Sequence, residues 1–461
     1  MKKAMGIVTS VLLAGSLLGN TASAATETNA QENMNAEAPA ELQGFIGEEE
    51  PNNAFNDANQ TGIDYIAAGT LTDNDQDVYK LEVKEGHRFD FVAATDEYEP
   101  TLQLQVDVYN SSFEKITPDS EENITKYKGS FDHLEAGTYY FVVSDLLNED
   151  NGEPYYFATF GEGMFFYERH FGFNRYDTAV EIAKETFRKN EAPHVVLATG
   201  TDFPDALAGA PLAYAKDAPI LLTKTNEIPD DVLDAFNYFG VEEVTIIGGT
   251  SAVSERVETT LEKDLSISVT RIAGDDRYET AANIAAELGN TGSNTAYVTY
   301  GGNYPDALSV ASIAAMEGSP ILLTRSNDIP EETSNALKNY DNSYAIGGPA
   351  VISNNVVSDL PNGNRIAGDN RYETSVNVAK ELGVRLQSVN LATGQGFADA
   401  LAGSVHAAYN EEPVILTRPD RLSTPAKQLL EDNGTNTFTI FGGPNAVDTQ
   451  VEDEIISLFV K

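Results

Sequence analysis

The 461-residue chain has no cysteine and no tryptophan, and it carries 29 Lys and Arg against 72 Asp and Glu. Without cysteine there is neither a disulfide nor a lipid-modified thiol, so the fold rests on ordinary hydrophobic cores. A formal net charge of −43 excludes generic nucleic-acid binding, which needs a basic footprint. That much acid keeps the surface hydrated and soluble. It also sets a condition: an anionic ligand binds only at local basic positions or through bridging cations. The five histidines, His87, His133, His170, His194 and His406, are scattered with no metal-ligand spacing, and there is no cysteine to complete a zinc set. No nucleophile motif accompanies them. These scarcities predict a protein without cofactor or metal and without catalysis. No segment beyond the N-terminus is apolar for long enough to cross a bilayer.

At the N-terminus Lys2 and Lys3 precede an apolar stretch from Met5 to Leu18 and then Ala22-Ser23-Ala24. A basic n-region, an h-region and a small-residue cleavage site read as a secretory signal over 1–24. Residues 25–48, rich in Ala, Glu, Asn, Gln and Thr, read as a disordered linker. The end, Ser457-Leu-Phe-Val-Lys461, carries no apolar tail and no recognisable sorting motif. Retention at a cell surface is then expected to be non-covalent.

Over 49–162 the pattern is β. Leu102, Leu104, Val106 and Val108 alternate with Gln103, Gln105 and Asp107, a period of two. Arg88-Phe-Asp-Phe-Val92 and Thr138-Tyr-Tyr-Phe-Val-Val143 are aromatic and β-branched runs, separated by Gly, Asn and Asp clusters. Short strands between turn signals predict a β-sandwich. Glu50-Pro51-Asn52-Asn53, Gly69-Thr70-Leu71, Asp75-x-Asp77-Val78-Tyr79-x-Leu81 and Ala136-Gly137-Thr138-Tyr139-Tyr140 resemble the bacterial pre-peptidase C-terminal domain. That resemblance implies a jelly-roll-like sandwich of the kind appended to secreted peptidases. Asp73, Asp75 and Asp77 alternate as calcium ligands do, but Val78 stands where an EF-hand loop needs glycine, and no bidentate Glu follows at the required distance. A solvated acidic turn is the expectation there.

From Arg169 one grammar runs three times. Arg169-x-x-Gly172-x-x-Arg175-Tyr176 returns as Arg271-x-x-Gly274-x-x-Arg277-Tyr278 and as Arg365-x-x-Gly368-x-x-Arg371-Tyr372. Each is followed by Pro204-Asp205-Ala206-Leu207, Pro305-Asp306-Ala307-Leu308 or Ala398-Asp399-Ala400-Leu401. Next come Ile220-Leu-Leu-Thr223, Ile321-Leu-Leu-Thr324 and Val414-Ile-Leu-Thr417, and a glycine pair closes each unit: Gly248-Gly249, Gly347-Gly348 and Gly442-Gly443. Tyr176, Ala179, Val180, Ala183 and Phe187 share a helical face, and apolar runs alternate with such helices. The chain is therefore read as multidomain: a β-sandwich followed by three α/β modules with parallel sheets, at 169–270, 271–364 and 365–461.

These motifs resemble the cell-wall-binding repeat type 2 family, found in tandem threes in secreted proteins of Gram-positive bacteria. The resemblance implies non-covalent attachment to an anionic secondary wall polymer, teichoic-acid-like or a secondary polysaccharide, with the modules around a pseudo-threefold axis. The first copy departs from the pattern, with Phe173 in the place of Asp275 and Asp369, and His170-Phe171 in the place of Ile272-Ala273.

Position by position, Pro204 suits a first helical turn, and Asp205, Asp306 and Asp399 favour its positive end. Arg175, Arg277 and Arg371 are read as partners of these aspartates in structural pairs, with ligand contact as the alternative. The glycine pairs give tight strand-to-helix turns ahead of the capping residues Ser254, Ser353 and Asp448; Gly249, Gly348 and Gly443 also let a ligand approach the backbone. Each apolar strand ends in Thr and a base: Thr223-Lys224, Thr324-Arg325 and Thr417-Arg418. Ligands of open parallel sheets bind outside the carboxyl ends of strands, so these six residues are polymer candidates. The competing reading pairs the bases with nearby acids such as Glu227 and Asp328 as solvated charges. Three equivalent modules argue for a multivalent binder. A peptidoglycan hydrolase or its modifier, and a surface-layer component, are the alternatives.

Overall fold

The computed structural model describes residues 44–459 apart from 49, 64, 73–74, 85, 96–101, 124–125, 148–153, 161–165, 203 and 436. The expected signal segment 1–24 and residues 25–43 of the expected linker lie outside the described residues. The chain divides into two compact units, one reaching Phe166 and one running from Tyr167 to Leu458.

The first unit is all β: β1 (Gly44–Gly47), β2 (Asn59–Gln60), β3 (Tyr65–Thr70), β4 (Gln76–Val83), β5 (His87–Thr95), β6 (Leu104–Tyr109), β7 (Lys115–Ile116), β8 (Ser120–Asn123), β9 (Tyr127–Leu134), β10 (Gly137–Asp145) and β11 (Pro154–Phe160). They form two sheets, in orders β1-β3-β11-β5-β9-β8 and β2-β4-β10-β6-β7. Pairing is antiparallel except for β1 with β3 and β2 with β4. The period of two holds: Leu104, Val106 and Val108 are buried, while the residues between them are half-exposed. They share one core with Phe89, Phe91 and Phe157 of the other sheet, and the Phe91 ring meets Phe141 edge-on at 5.1 Å. β1 corrects the linker boundary at 48. Four residues, Gly-Phe-Ile-Gly, are too few to show alternation, but they pair with Tyr65–Ala68, and Glu48 accepts from the Thr70 N–H and hydroxyl. The acidic turn needs a second correction. Asp75 accepts from the Thr72 and Gln76 N–H groups, whereas Asp77 is buried and accepts from the Tyr155 hydroxyl at 2.5 Å. Burial pushes the Asp77 carboxyl up to about 8, so it is no part of a solvated turn. Asp73 lies outside the described residues.

The second unit holds β12 (Phe166–His170), β13 (His194–Thr199), β14 (Ile220–Thr223), β15 (Glu243–Ile247), β16 (Ser268–Ile272), β17 (Thr295–Tyr300), β18 (Ile321–Thr324), β19 (Asn342–Ile346), β20 (Gly363–Ile366), β21 (Ser388–Thr393), β22 (Val414–Thr417) and β23 (Thr437–Phe441). Three sheets result, β14-β13-β15-β16, β18-β17-β19-β20 and β22-β21-β23-β12. The first two are parallel throughout, as are β21, β22 and β23. The fourth strand of each sheet is the opening strand of another repeat. The boundaries expected at 270/271 and 364/365 thus fall inside β16 and β20, which complete the preceding module's sheet. β12, first in the chain, completes the last sheet.

The helices explain how the modules share a core. The opening helices, Arg175–Thr186, Arg277–Leu288 and Arg371–Glu381, are N-capped by Asn174, Asp276 and Asn370, each side chain accepting two backbone N–H bonds. Each leaves one sheet and packs on the next, against β14, β18 and β22. The central helices, Gly209–Ala215, Pro305–Met316 and Ala398–Tyr409, pack on one another. Buried nearly all round, they are built of Ala, Gly and Ser rather than an amphipathic stripe. The first is interrupted. Pro211 replaces Ser312 and Val405, and a mid-helix proline clashes with the carbonyl four residues back. There a 3₁₀ turn, Ala206–Ala208, precedes a shortened helix, so Pro204 does not open a helix as Pro305 does.

Candidate functional site

Each sheet reverses its strand order at its second strand, β13, β17 or β21, the point outside whose carboxyl end open parallel sheets bind ligands. The repeated residues converge at these three edges. The carbonyls of Gly200, Gly301 and Gly394, just beyond those strands, accept from Arg175, Arg277 and Arg371 respectively. A side chain at any of these glycines would collide with the ring of Tyr176, Tyr278 or Tyr372. These three glycines recur as faithfully as the Gly-Gly pairs, and the sequence reading passed over them.

The pairing of Arg175, Arg277 and Arg371 with aspartate takes another form than expected. The carboxylates that feel their charge belong to the neighbouring repeat: Asp399 with Arg175, Asp205 with Arg277 and Asp306 with Arg371. Among the described residues no guanidinium of the three lies within 4.0 Å of its aspartate, and Arg175 is exposed. The expected structural pair is therefore corrected to a longer-range interaction across a seam. Burial pushes all three carboxyls up, Asp306 to about 6, and the facing arginine pulls each back.

The first arginine of each motif is held by several direct contacts rather than one. Arg271 donates to the Gly248 carbonyl at 2.8 Å and to Glu258 at 2.6 Å. Arg169 donates to the carbonyls of Gly442 at 2.6 Å and Val447 at 2.9 Å, and to Glu452 at 2.5 Å. Arg365 donates to the Gly347 and Ile352 carbonyls. Each edge strand is thereby fastened to the glycine turn of its host sheet. Gly248, Gly347 and Gly442 have φ of +106°, +126° and +107°, a region that favours glycine, and an added Cβ would press on Asp205, Asp306 or Asp399. Gly249 has open space where a Cβ would be, and Gly348 meets only the Gly368 carbonyl at 4.0 Å, whereas Gly443 is covered by Phe171.

The Thr-base steps separate. Thr223, Thr324 and Thr417 are fully buried, and their hydroxyls donate to the Glu227, Asp328 and Arg421 carbonyls of their own loops. They hold the loop and are removed from the ligand candidates. Lys224 pairs with Glu227 at 2.5 Å and Arg325 with Asp328 at 3.0 Å. Arg418 has no carboxylate within 4.0 Å among the described residues. Arg325 and Arg418 lie 4.9 and 5.1 Å over the rings of Tyr278 and Tyr372, a cation–π placement. The first copy keeps this architecture despite Phe173: the Gly172, Gly274 and Gly368 N–H groups donate alike to Thr178, Thr280 and Thr374 at 3.0, 3.1 and 3.0 Å.

A profile of cell wall binding domain 2 matches residues 169–258, 271–357 and 365–452. The chain belongs to this family. The repeats are cell wall binding modules, and they place the protein at the wall. Among known proteins the chain is similar to N-acetylmuramoyl-L-alanine amidase LytC of Bacillus subtilis, 36% identical over 286 residues, covering 62% of this chain and 57% of that one. It is also similar to the amidase enhancer of the same organism, 29% identical over 311 residues, covering 66% of this chain and 42% of that protein. The chain thus spans about half the length of these relatives. Among solved structures it resembles Cwp8 from Clostridium difficile, 29% identical with a TM-score of 0.58, over 64% of this chain and 51% of that one. Cwp6 from the same organism, 22% identical with a TM-score of 0.62, over 86% of this chain and 68% of that one, shares the fold. No helix among the described residues is long and apolar enough to cross a membrane.

Proposed function

We propose that this is a secreted, non-catalytic surface protein, held non-covalently by its three modules on an anionic secondary wall polymer and displaying the N-terminal β unit. The reading includes a pseudo-threefold arrangement of the modules and a jelly-roll-like sandwich for the two β sheets. What carries it is the recurrence of one basic side chain, Lys224, Arg325 or Arg418, at the carboxyl edge of each sheet in a chain of net charge −43. Two of these bases lie over the motif tyrosine, which orients the cation while leaving its outer face to a polyanion. Arg418 is the strongest contact point, since Glu227 and Asp328 already compete for the other two.

The test is retention on purified walls, with and without removal of their secondary polymers. A fragment 166–461, which keeps β12, should bind intact walls as the whole chain does and fail on stripped ones. Retention that instead follows the β unit would sink the assignment. A second reading is favoured by the names of the relatives: an amidase and an amidase enhancer both carry similar sequence, so a role beside a wall hydrolase deserves a parallel assay. Hydrolysis of peptidoglycan by the purified chain would replace the non-catalytic reading.

A further inference from the structure

The departure of the first repeat from its siblings, His170 in place of Ile272 and Ile366, has a chemical consequence. On β12 the side chains of Glu168 and His170 point to one face, as alternate strand residues do, while Arg169 points to the other. Glu168 and His170 are each 6% exposed. Glu185, the penultimate residue of the opening helix Arg175–Thr186, closes over them. His170 Nε2 lies 3.5 Å from Glu168 Oε2, and Nδ1 lies 3.7 Å from Glu185 Oε1. The three side chains can bring ligand atoms within 4.8 Å of one another. Nε2 is buried without a hydrogen-bond partner among the described residues.

We propose that Glu168, His170 and Glu185 bind a divalent transition-metal ion. One imidazole gives one nitrogen to an ion, and with one ligand atom from each residue the three lie within 4.8 Å of one another; zinc takes His nitrogen and carboxylate oxygen at about 2.0–2.2 Å, so the ligands would close to about 3–4 Å apart on binding. The competing arrangement is an imidazole hydrogen-bonded to both carboxylates, one at each ring nitrogen. Its hydrogen bonds would be about 2.7–2.9 Å, and the observed separations are too long for that. One imidazole and two carboxylates suit zinc, cobalt or manganese better than calcium, which prefers oxygen alone. The neighbouring His406 is committed elsewhere, its Nδ1 to Thr186 at 2.9 Å and its Nε2 to Asn410 at 3.0 Å, so it packs beside the site without joining it. The other two copies lack the set: Thr270 and Ile272, or Asn364 and Ile366, accompany Glu287 and Glu381. The ion therefore belongs to one corner alone, where β12 completes the last sheet and the chain turns into the first module. It would clamp that strand to the opening helix.

The whole chain, freed of metal by a chelator, is titrated with Zn²⁺ by calorimetry and with Co²⁺ by visible absorption. One ion per chain is expected, with a rise of several degrees in the melting temperature of the α/β unit and no comparable effect of Ca²⁺. His170→Ile, which restores the residue of the other copies, should abolish binding and the melting shift while wall retention persists. Glu168→Gln and Glu185→Gln serve if that variant misfolds, each expected to weaken Zn²⁺ at least tenfold. No stoichiometric Zn²⁺ binding, binding unchanged by these substitutions, or Ca²⁺ bound as well as Zn²⁺ would each overturn the proposal.

Discussion

At Asp306 burial and a neighbouring cation oppose each other: burial raises the carboxyl to about 6 and Arg371 pulls it back. A folded-state value above the unfolded one contributes stability that is complete below the unfolded value and lost as pH rises through the folded one. Between pH 4 and about 6 the native chain should therefore lose roughly 1–2 kcal/mol relative to Asp306→Asn, a difference that levels off above pH 7. Melting curves of the two proteins across that range check it. The arginines make a second prediction. Arg271→Ala strips Glu258 and the Gly248 carbonyl of their donor and should cost about 2–3 kcal/mol, whereas Arg277→Ala removes one bond to the Gly301 carbonyl and should cost about 1 kcal/mol. Equal losses in chemical denaturation would refute this division of labour. Recurrence in the sequence singles out both arginines equally, because each is required in every copy. Which one is fastened to a turn depends on contacts made across repeats, and no spacing within a repeat reports those. The threonines illustrate the same limit, since a hydroxyl at a strand end serves a loop or a ligand with the same letter.

Strands and helices were more legible than their partners. The period of two in β6 and the helical face from Tyr176 to Phe187 survive in the structure because each faces one core from one side. The central helices escaped that logic, since an all-round buried helix shows no polar face. β12, β16 and β20 sit in another repeat's sheet, and pairing with a strand far away in the chain leaves no local mark. β12 yields a prediction at this scale. A chain truncated to begin at Arg175 leaves the β23 edge unpaired and deletes Arg169 from the Gly442 turn, so it should melt well below the 166–461 fragment and self-associate in gel filtration. The turn itself is testable. Gly442→Ala puts a Cβ against Asp399 at a φ of +107° and should destabilise by about 1–3 kcal/mol, while Gly434→Ala, at a φ of +62° but with open space around it, carries backbone strain without the clash and should lose less.

For the molecule as a whole, affinity for the wall is set by number. Lys224→Ala, Arg325→Ala or Arg418→Ala alone should weaken retention several-fold, with Arg418 the largest, and the triple variant should nearly abolish it, since linked weak sites multiply. Added salt should mimic the loss, because exposed charges are screened beyond about 8 Å at physiological ionic strength. Binding isotherms on walls at two salt concentrations would decide, with circular dichroism confirming that the variants fold; a triple variant that binds like the parent would move the site to Gly249, Gly348 and Gly443. The exchange of opening strands carries one more implication. Each repeat lends a strand to one neighbour and borrows one from the other, and β12 beside β23 closes the account, so the α/β unit has no first or last member. It should tolerate circular permutation: joining its ends and reopening the chain between repeats one and two ought to give the same melting behaviour. The same closure limits growth of this unit, because a fourth copy could enter it only by displacing β12.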